Sequence, residues 1–192
     1  MKTKIRWGII GPGNIAKKFT EDLQLFEDVE IGAVASRTLE KAQKFANIYG
    51  IENAYGSYEE LFAAQTSDIV YIATPHNFHK DLAIKAMESG KHVLCEKPLG
   101  VSKSEDEDLL RAAKKTRVFL MEGLWSRFNP SIQKAKELIE AGEIGKISYL
   151  HADFALYGLD RREDSRLLNP NLASGSLLDM GIYPNYLAYL IW

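Results

Sequence analysis

The chain has 192 residues, of which 46% are hydrophobic and 26% charged, with a net charge of −2. This is the composition of an ordinary globular protein, long enough for one full domain and part of another. It carries no basic surplus, so charge-driven binding to nucleic acid or to an anionic membrane gets no support. Its one cysteine, Cys95, excludes an internal disulfide and any metal site built on several thiolates.

The opening, MKTKIRWGIIGPG, is basic and then apolar, but glycine and proline interrupt it early. It reads as a first strand and turn rather than a leader. The nearest approach to a membrane span, LLDMGIYPNYLAYLIW, is broken by Asp179, Pro184 and Asn185. A cytoplasmic protein is the expectation.

Apolar runs at 5–10, 31–36, 69–73, 92–95 and 118–122 are nearly continuous in hydrophobicity, as expected of parallel strands covered on both faces. Amphipathic stretches near 14–25, 39–48, 58–65, 79–89 and 104–115 alternate with them. Ser57 with Glu60, and Ser102 with Glu105, form capping-box starts for two of these helices. The acidic run Glu105 to Asp108 reads as a solvated first turn that favours the helix dipole. Such alternation implies right-handed crossovers and an open, doubly wound parallel sheet, an α/β Rossmann domain.

The rhythm changes between 120 and 130, which places a first domain over 1–122 and a second over 123–192. NPSIQKAKELIEAGEIG predicts a helix from near Pro130 to near Gly142. KISYLHADFALYG predicts a long, partly alternating strand, typical of a sheet with one open face. Then come the charged stretch DRREDSR (160–166), a solvated loop or a lid, and a final helix. One strand and one helix cannot close a core, so the second domain reads as incomplete, or as covered by a partner.

GPGNIA, residues 11–16, is a G-x-G-x-x-G/A turn, set after the first strand and at the start of a helix. Gly11 permits the tight turn, Gly13 lets a pyrophosphate approach, and Ala16 lets helix and strand pack closely. The helix start at Asn14 and Ile15 offers free N–H groups to phosphate oxygens. The second strand ends in Ser36 and Arg37, where an NAD enzyme usually has a carboxylate for the ribose 2′-OH. A hydroxyl and a guanidinium suit a 2′-phosphate, so NADP is expected, with NAD as the alternative.

Four motifs in this order, GPGNIA, ATPHNFH, CEKPLG and SGSLLDMGIYP, resemble the glucose–fructose oxidoreductase and inositol dehydrogenase family across essentially the whole chain. FLMEGLWSRFNP is similar to the subgroup of dimeric dihydrodiol dehydrogenases and NADP-dependent xylose dehydrogenases. The resemblance implies a nucleotide-binding domain followed by an α+β domain with a large open antiparallel sheet, here cut short. In the family that sheet supplies much of the dimer interface, so a homodimer or higher homo-oligomer is implied where the full second domain is present. It also implies a small-molecule substrate (a sugar, polyol or cyclic diol) and roles for particular residues. Lys97 corresponds to the lysine that reaches the substrate hydroxyl, and Asp179 and Tyr183 to a D-x-x-x-Y pair. Thr74, Pro75, His76, His79 and Glu96 belong to the nicotinamide side, and Trp125 and Arg127 to the substrate pocket. The Lys97–Pro98 bond is one that is often cis in this family.

The chemistry agrees with those roles. Oxidising an alcohol requires a base for the hydroxyl proton while the cofactor takes the hydride. A tyrosine becomes a useful base when a nearby ammonium favours its phenolate. Tyr183 is therefore the expected acid/base, Lys97 its activator and Asp179 an orienting group. His76 and His79 have an H-x-x-H spacing but no thiolate or evident carboxylate companion, so no metal is expected. Cys95 reads as a small buried filler. The alternatives to an active enzyme are a cofactor-binding regulator without turnover, or an inactive fragment.

Overall fold

The computed structural model describes residues 4–158 and 160–192. The first three residues of the basic opening lie outside that range.

A six-stranded sheet has the order β3-β2-β1-β4-β5-β6, with β1 Ile5–Ile10, β2 Val29–Ala35, β3 Asn53–Tyr55, β4 Ile69–Ile72, β5 His92–Glu96 and β6 Leu120–Gly123. The ladders from β3 through β5 are parallel. Helices α1 Asn14–Leu23, α2 Leu39–Tyr49, α3 Tyr58–Ala63, α4 His79–Glu88 and α5 Lys103–Thr116 make the crossovers.

The continuous hydrophobicity of the strands has a direct cause. On one face Ile10, Val70, Ile72, Val93 and Cys95 pack with Leu61, Leu82, Met87 and Leu109 of α3, α4 and α5. On the other, Ile9, Val34 and Tyr71 pack with Ala16, Ala42 and Phe45 of α1 and α2. Successive residues such as Ile9 and Ile10 thus enter opposite cores, as the two-residue period of a strand requires. Burying each such side chain contributes about 1.5–3 kcal/mol before chain entropy is counted.

Both capping boxes form. Ser57 Oγ accepts the Glu60 N–H and Ser102 Oγ accepts the Glu105 N–H, each at 3.3 Å. The returning glutamates accept from Gly56 and Val101, one residue before the cap. Cys95 is wholly buried, the filler expected of it, and burial pushes its thiol up.

Residue contacts divide the chain into two compact units, Met1–Glu122 and Gly123–Trp192. In the second, Asn129 accepts the Ser131 and Ile132 N–H groups and caps α6, Pro130–Glu140, whose first residue is proline. A π-helical turn, Leu177–Gly181, runs into α7, Ile182–Ile191. Among the described residues no helix is long and apolar enough to cross a membrane.

Two expectations and one omission need correction. Residues 146–158 form no strand; they run without regular structure and mostly exposed, because a strand needs a ladder partner and no described strand lies in the second unit beyond Gly123. β3 went unread because three residues are too short for a hydrophobic period. The acidic run of α5 does not all face water: Asp106 Oδ1 is buried without a hydrogen-bond partner, and burial pushes that carboxyl up.

Candidate functional site

The parallel ladders place the carboxyl ends of β1, β2, β4 and β5 along one edge, with the order reversing between β1 and β4. Open α/β sheets bind ligands in the crevice at such a switch point. Gly11 follows β1 and Lys97 follows β5, two strands away, which is about 10 Å along that edge.

A cleft of about 480 Å³ opens there, lined by Gly11 and Gly13, by Ser36, Arg37 and Lys41, and by Thr74 among others. Its size is that of a site for a small ligand. Gly11 has φ +81°, and a Cβ on it would stand 2.9 Å from the Ala73 carbonyl oxygen, so only glycine fits. A Cβ on Gly13 would meet nothing closer than the Gly11 carbonyl at 3.9 Å, which leaves its surface open to an approaching group. No side chain caps α1, and its first residues Asn14 and Ile15 are exposed, so N–H groups at its start are available to an anion.

At the β2 end, Ser36, Arg37 and Lys41 line the same cleft, and among the described residues no carboxylate lines it. Arg37 lies beside Tyr58: burial lifts the Tyr58 phenol, and the guanidinium charge pulls it back. Thr74 Oγ1, which also lines the cleft, is buried without a hydrogen-bond partner. A glycine cradle, an open helix start, two cations and an unsatisfied hydroxyl fit a dinucleotide bearing an extra phosphate. Pro75 also lines the cleft. Sequence reasoning missed Lys41, Thr38, Tyr58 and Phe78.

Around Lys97 the backbone is held from several sides. Tyr71, stacked on Phe19, donates its hydroxyl to Glu96 Oε1 at 2.5 Å, and its phenol is raised, first by burial and then by Glu96. The Lys97–Pro98 bond is cis. His79 is fully buried, with Nδ1 at 2.8 Å from the Pro98 carbonyl and Nε2 at 2.9 Å from the Thr74 carbonyl. It ties the loop after β4 to the loop after β5, whereas the cleft wall itself is formed by other residues. His76 is also buried, its ring centroid 5.7 Å from that of His79. Among the described residues no cluster of three or more His, Cys, Asp or Glu is arranged to hold a metal ion.

In the second unit, Tyr183 and Trp125 line a depression of about 250 Å³ with Ser126, Phe154, Tyr186 and Leu187. Trp125 Nε1–H donates to Tyr183 Oη at 3.1 Å, and the Phe154 ring meets Tyr183 edge-on at 5.0 Å. Arg127, on the same 3₁₀ turn as Trp125, is exposed and does not line the depression. Asp179 lies one turn before Tyr183, as expected, and is 4% exposed. Arg166 reaches it with two guanidinium nitrogens at 3.1 and 3.4 Å, so one end of the charged stretch is a structural tie. The remaining charges there, such as Arg162 with Asp164, pair on the surface.

Residues 5–124 match the oxidoreductase family with an NAD-binding Rossmann fold, and residues 132–192 match the GFO/IDH/MocA C-terminal domain. The trans-1,2-dihydrobenzene-1,2-diol dehydrogenase of Mus musculus is 41% identical over 181 residues, which are 93% of this chain and 54% of that protein. The NADP-dependent D-xylose 1-dehydrogenase of Hypocrea jecorina is 41% identical over 199 residues, covering 94% of this chain and 51% of that one. A 3-ketoreductase from Actinomadura kijaniata, solved as a variant with TDP-benzene and NADP, superposes with a TM-score of 0.86 at 29% identity, over 98% of this chain and 56% of that one. The chain spans about half the length of the curated relatives it matches.

Proposed function

The chain belongs to the GFO/IDH/MocA oxidoreductase family, and on that premise we propose that it serves an NADP-dependent dehydrogenase acting on a CH–OH group of a sugar, polyol or cyclic diol. The observation that carries the cofactor is the shared cleft of Gly11, Gly13, Ser36, Arg37 and Lys41 without a carboxylate. The substrate class rests on the relatives, a diol dehydrogenase and a xylose dehydrogenase.

In this reading residues 1–122 hold the nucleotide, and 123–192 contribute part of a substrate and dimerisation domain. Gly13, Asn14 and Ile15 receive the pyrophosphate, and Arg37 and Lys41 the 2′-phosphate. NADP, when bound, supplies the hydride acceptor or donor. Tyr183 Oη takes or returns the hydroxyl proton, and Trp125, by donating to that oxygen, holds it in place. The Lys97 ammonium stabilises negative charge as it develops on oxygen. Asp179, anchored by Arg166, keeps the turn that precedes Tyr183 in register.

The test is turnover of NADP with a panel of aldoses and diols by the unsubstituted chain and by Lys97→Met and Tyr183→Phe. Each substitution is expected to lower kcat by at least about 100-fold, the order of a lost acid/base contribution. Tight NADPH binding without turnover of any of the panel would point instead to a cofactor-binding regulator.

A further inference from the structure

Two backbone N–H groups that follow the Lys97–Pro98 pair meet carboxylates. The Leu99 N–H donates to Glu122 Oε1 at 2.8 Å, and the Val101 N–H donates to Glu105 Oε2 at 2.9 Å. Glu105 is explained by its capping box, and Asp106 stands beside it in the first turn of α5.

Glu122 has no such local reason. It comes from β6, 23 residues away in sequence, where a half-buried carboxyl is costly and an apolar residue would serve the sheet better. Burial pushes its carboxyl up, the Leu99 N–H draws it back, Asp106 opposes and the Lys97 charge assists. Two of the groups acting on Glu122 therefore belong to the Lys97 segment itself. Further ties on that segment include Tyr71 to Glu96 and His79 to the Pro98 carbonyl.

We infer that Glu122 is a positioning residue for Lys97: by holding the Leu99 N–H, two residues further on, it fixes where that side chain projects. The inference rests on the reading of Lys97 as a catalytic group. Glu122→Gln keeps an acceptor for the Leu99 N–H and removes only the charge, whereas Glu122→Ala removes both.

The experiment compares these variants with Lys97→Met in the 192-residue chain. It reads the Leu99 amide exchange rate by NMR without ligand, the NADPH dissociation constant by fluorescence, and kcat. In Glu122→Ala the Leu99 amide should exchange about tenfold faster, as for a lost hydrogen bond. Its kcat should fall roughly 10–100-fold, as for a displaced catalytic group, with NADPH affinity within about twofold. Glu122→Gln should keep the amide protected and recover most of the kcat.

Unchanged exchange and kcat in Glu122→Ala overturn the inference. So does a parallel loss of NADPH affinity and kcat, the mark of a merely structural residue, or a Glu122→Gln variant as impaired as Glu122→Ala. Wild-type turnover by Lys97→Met overturns the functional reading itself. A silent Lys97→Met beside a fully active Glu122→Ala overturns only the positioning role.

Discussion

The two units fix their candidate site residues by different means. In the first, Ile9, Ile10, Val70, Ile72, Val93 and Leu109 are wholly buried, and the glycine turn and Lys97 sit on the ends of strands locked between two cores. In the second, Leu124 is the one apolar residue among those described that counts as buried, and Tyr149, Tyr157 and Tyr189 are each more than 70% exposed. Tyr183 and Asp179 are held there by individual ties, from Trp125, Phe154 and Arg166. A packed core sets geometry collectively, whereas a tie can be cut by one substitution.

That contrast should appear first in stability. Ile72→Ala, in the first core, is expected to cost about 2–5 kcal/mol in urea unfolding, and Tyr189→Ser, in the second unit, less than about 0.5 kcal/mol. Equal costs would break the comparison.

A smaller effect separates ties from packing within the second unit. Arg166→Ala leaves the buried Asp179 carboxylate without its guanidinium and should cost about 1–3 kcal/mol. Asp179→Asn in that background should recover part of the loss, because it removes the buried charge; an additive loss would sink the assignment of the pair as a tie.

The smallest effect is a pH slope. Burial raises the Glu122 carboxyl above the ordinary glutamate value of 4.5, with Leu99 and Lys97 opposing. A raised carboxyl contributes stability that is present below 4.5 and is lost as pH rises through the folded value. Glu122→Gln, neutral throughout, should therefore gain on the wild type in urea midpoint as pH rises from 4.5 toward neutrality. Asp68, held low by its Arg6 hydrogen bond, contributes the opposite slope, present above 3.8 and lost on acidification. A Glu122→Gln profile parallel to the wild type would contradict the raised carboxyl.

Much of the first unit was legible in the sequence, because strands covered on both faces leave continuous apolar runs and the glycine turn has a fixed spacing. Ser36 and Arg37 were readable for the same reason: they occupy the position after β2 where the cofactor is selected. Lys41 was not, because one turn into α2 it reads as an ordinary exposed helix lysine. Glu122 hid at the end of the apolar run VFLME, and its partner, the Leu99 N–H, is 23 residues away in sequence with no spacing that announces it. Arg166 lay in a charged stretch with no spacing that points to Asp179. Residues 146–158 misled because alternation marks a strand only when a partner completes the ladder.

The central claim is that the cleft at the β1–β4 switch selects a nucleotide with a 2′-phosphate through Arg37 and Lys41. The most direct measurement is the dissociation constant of NADPH and of NADH for the wild type and for Arg37→Ala/Lys41→Ala. Two charge-assisted contacts make the expected weakening of NADPH at least roughly 100-fold, with NADH changed less than about threefold. Equal weakening of both cofactors, or none of either, would contradict it.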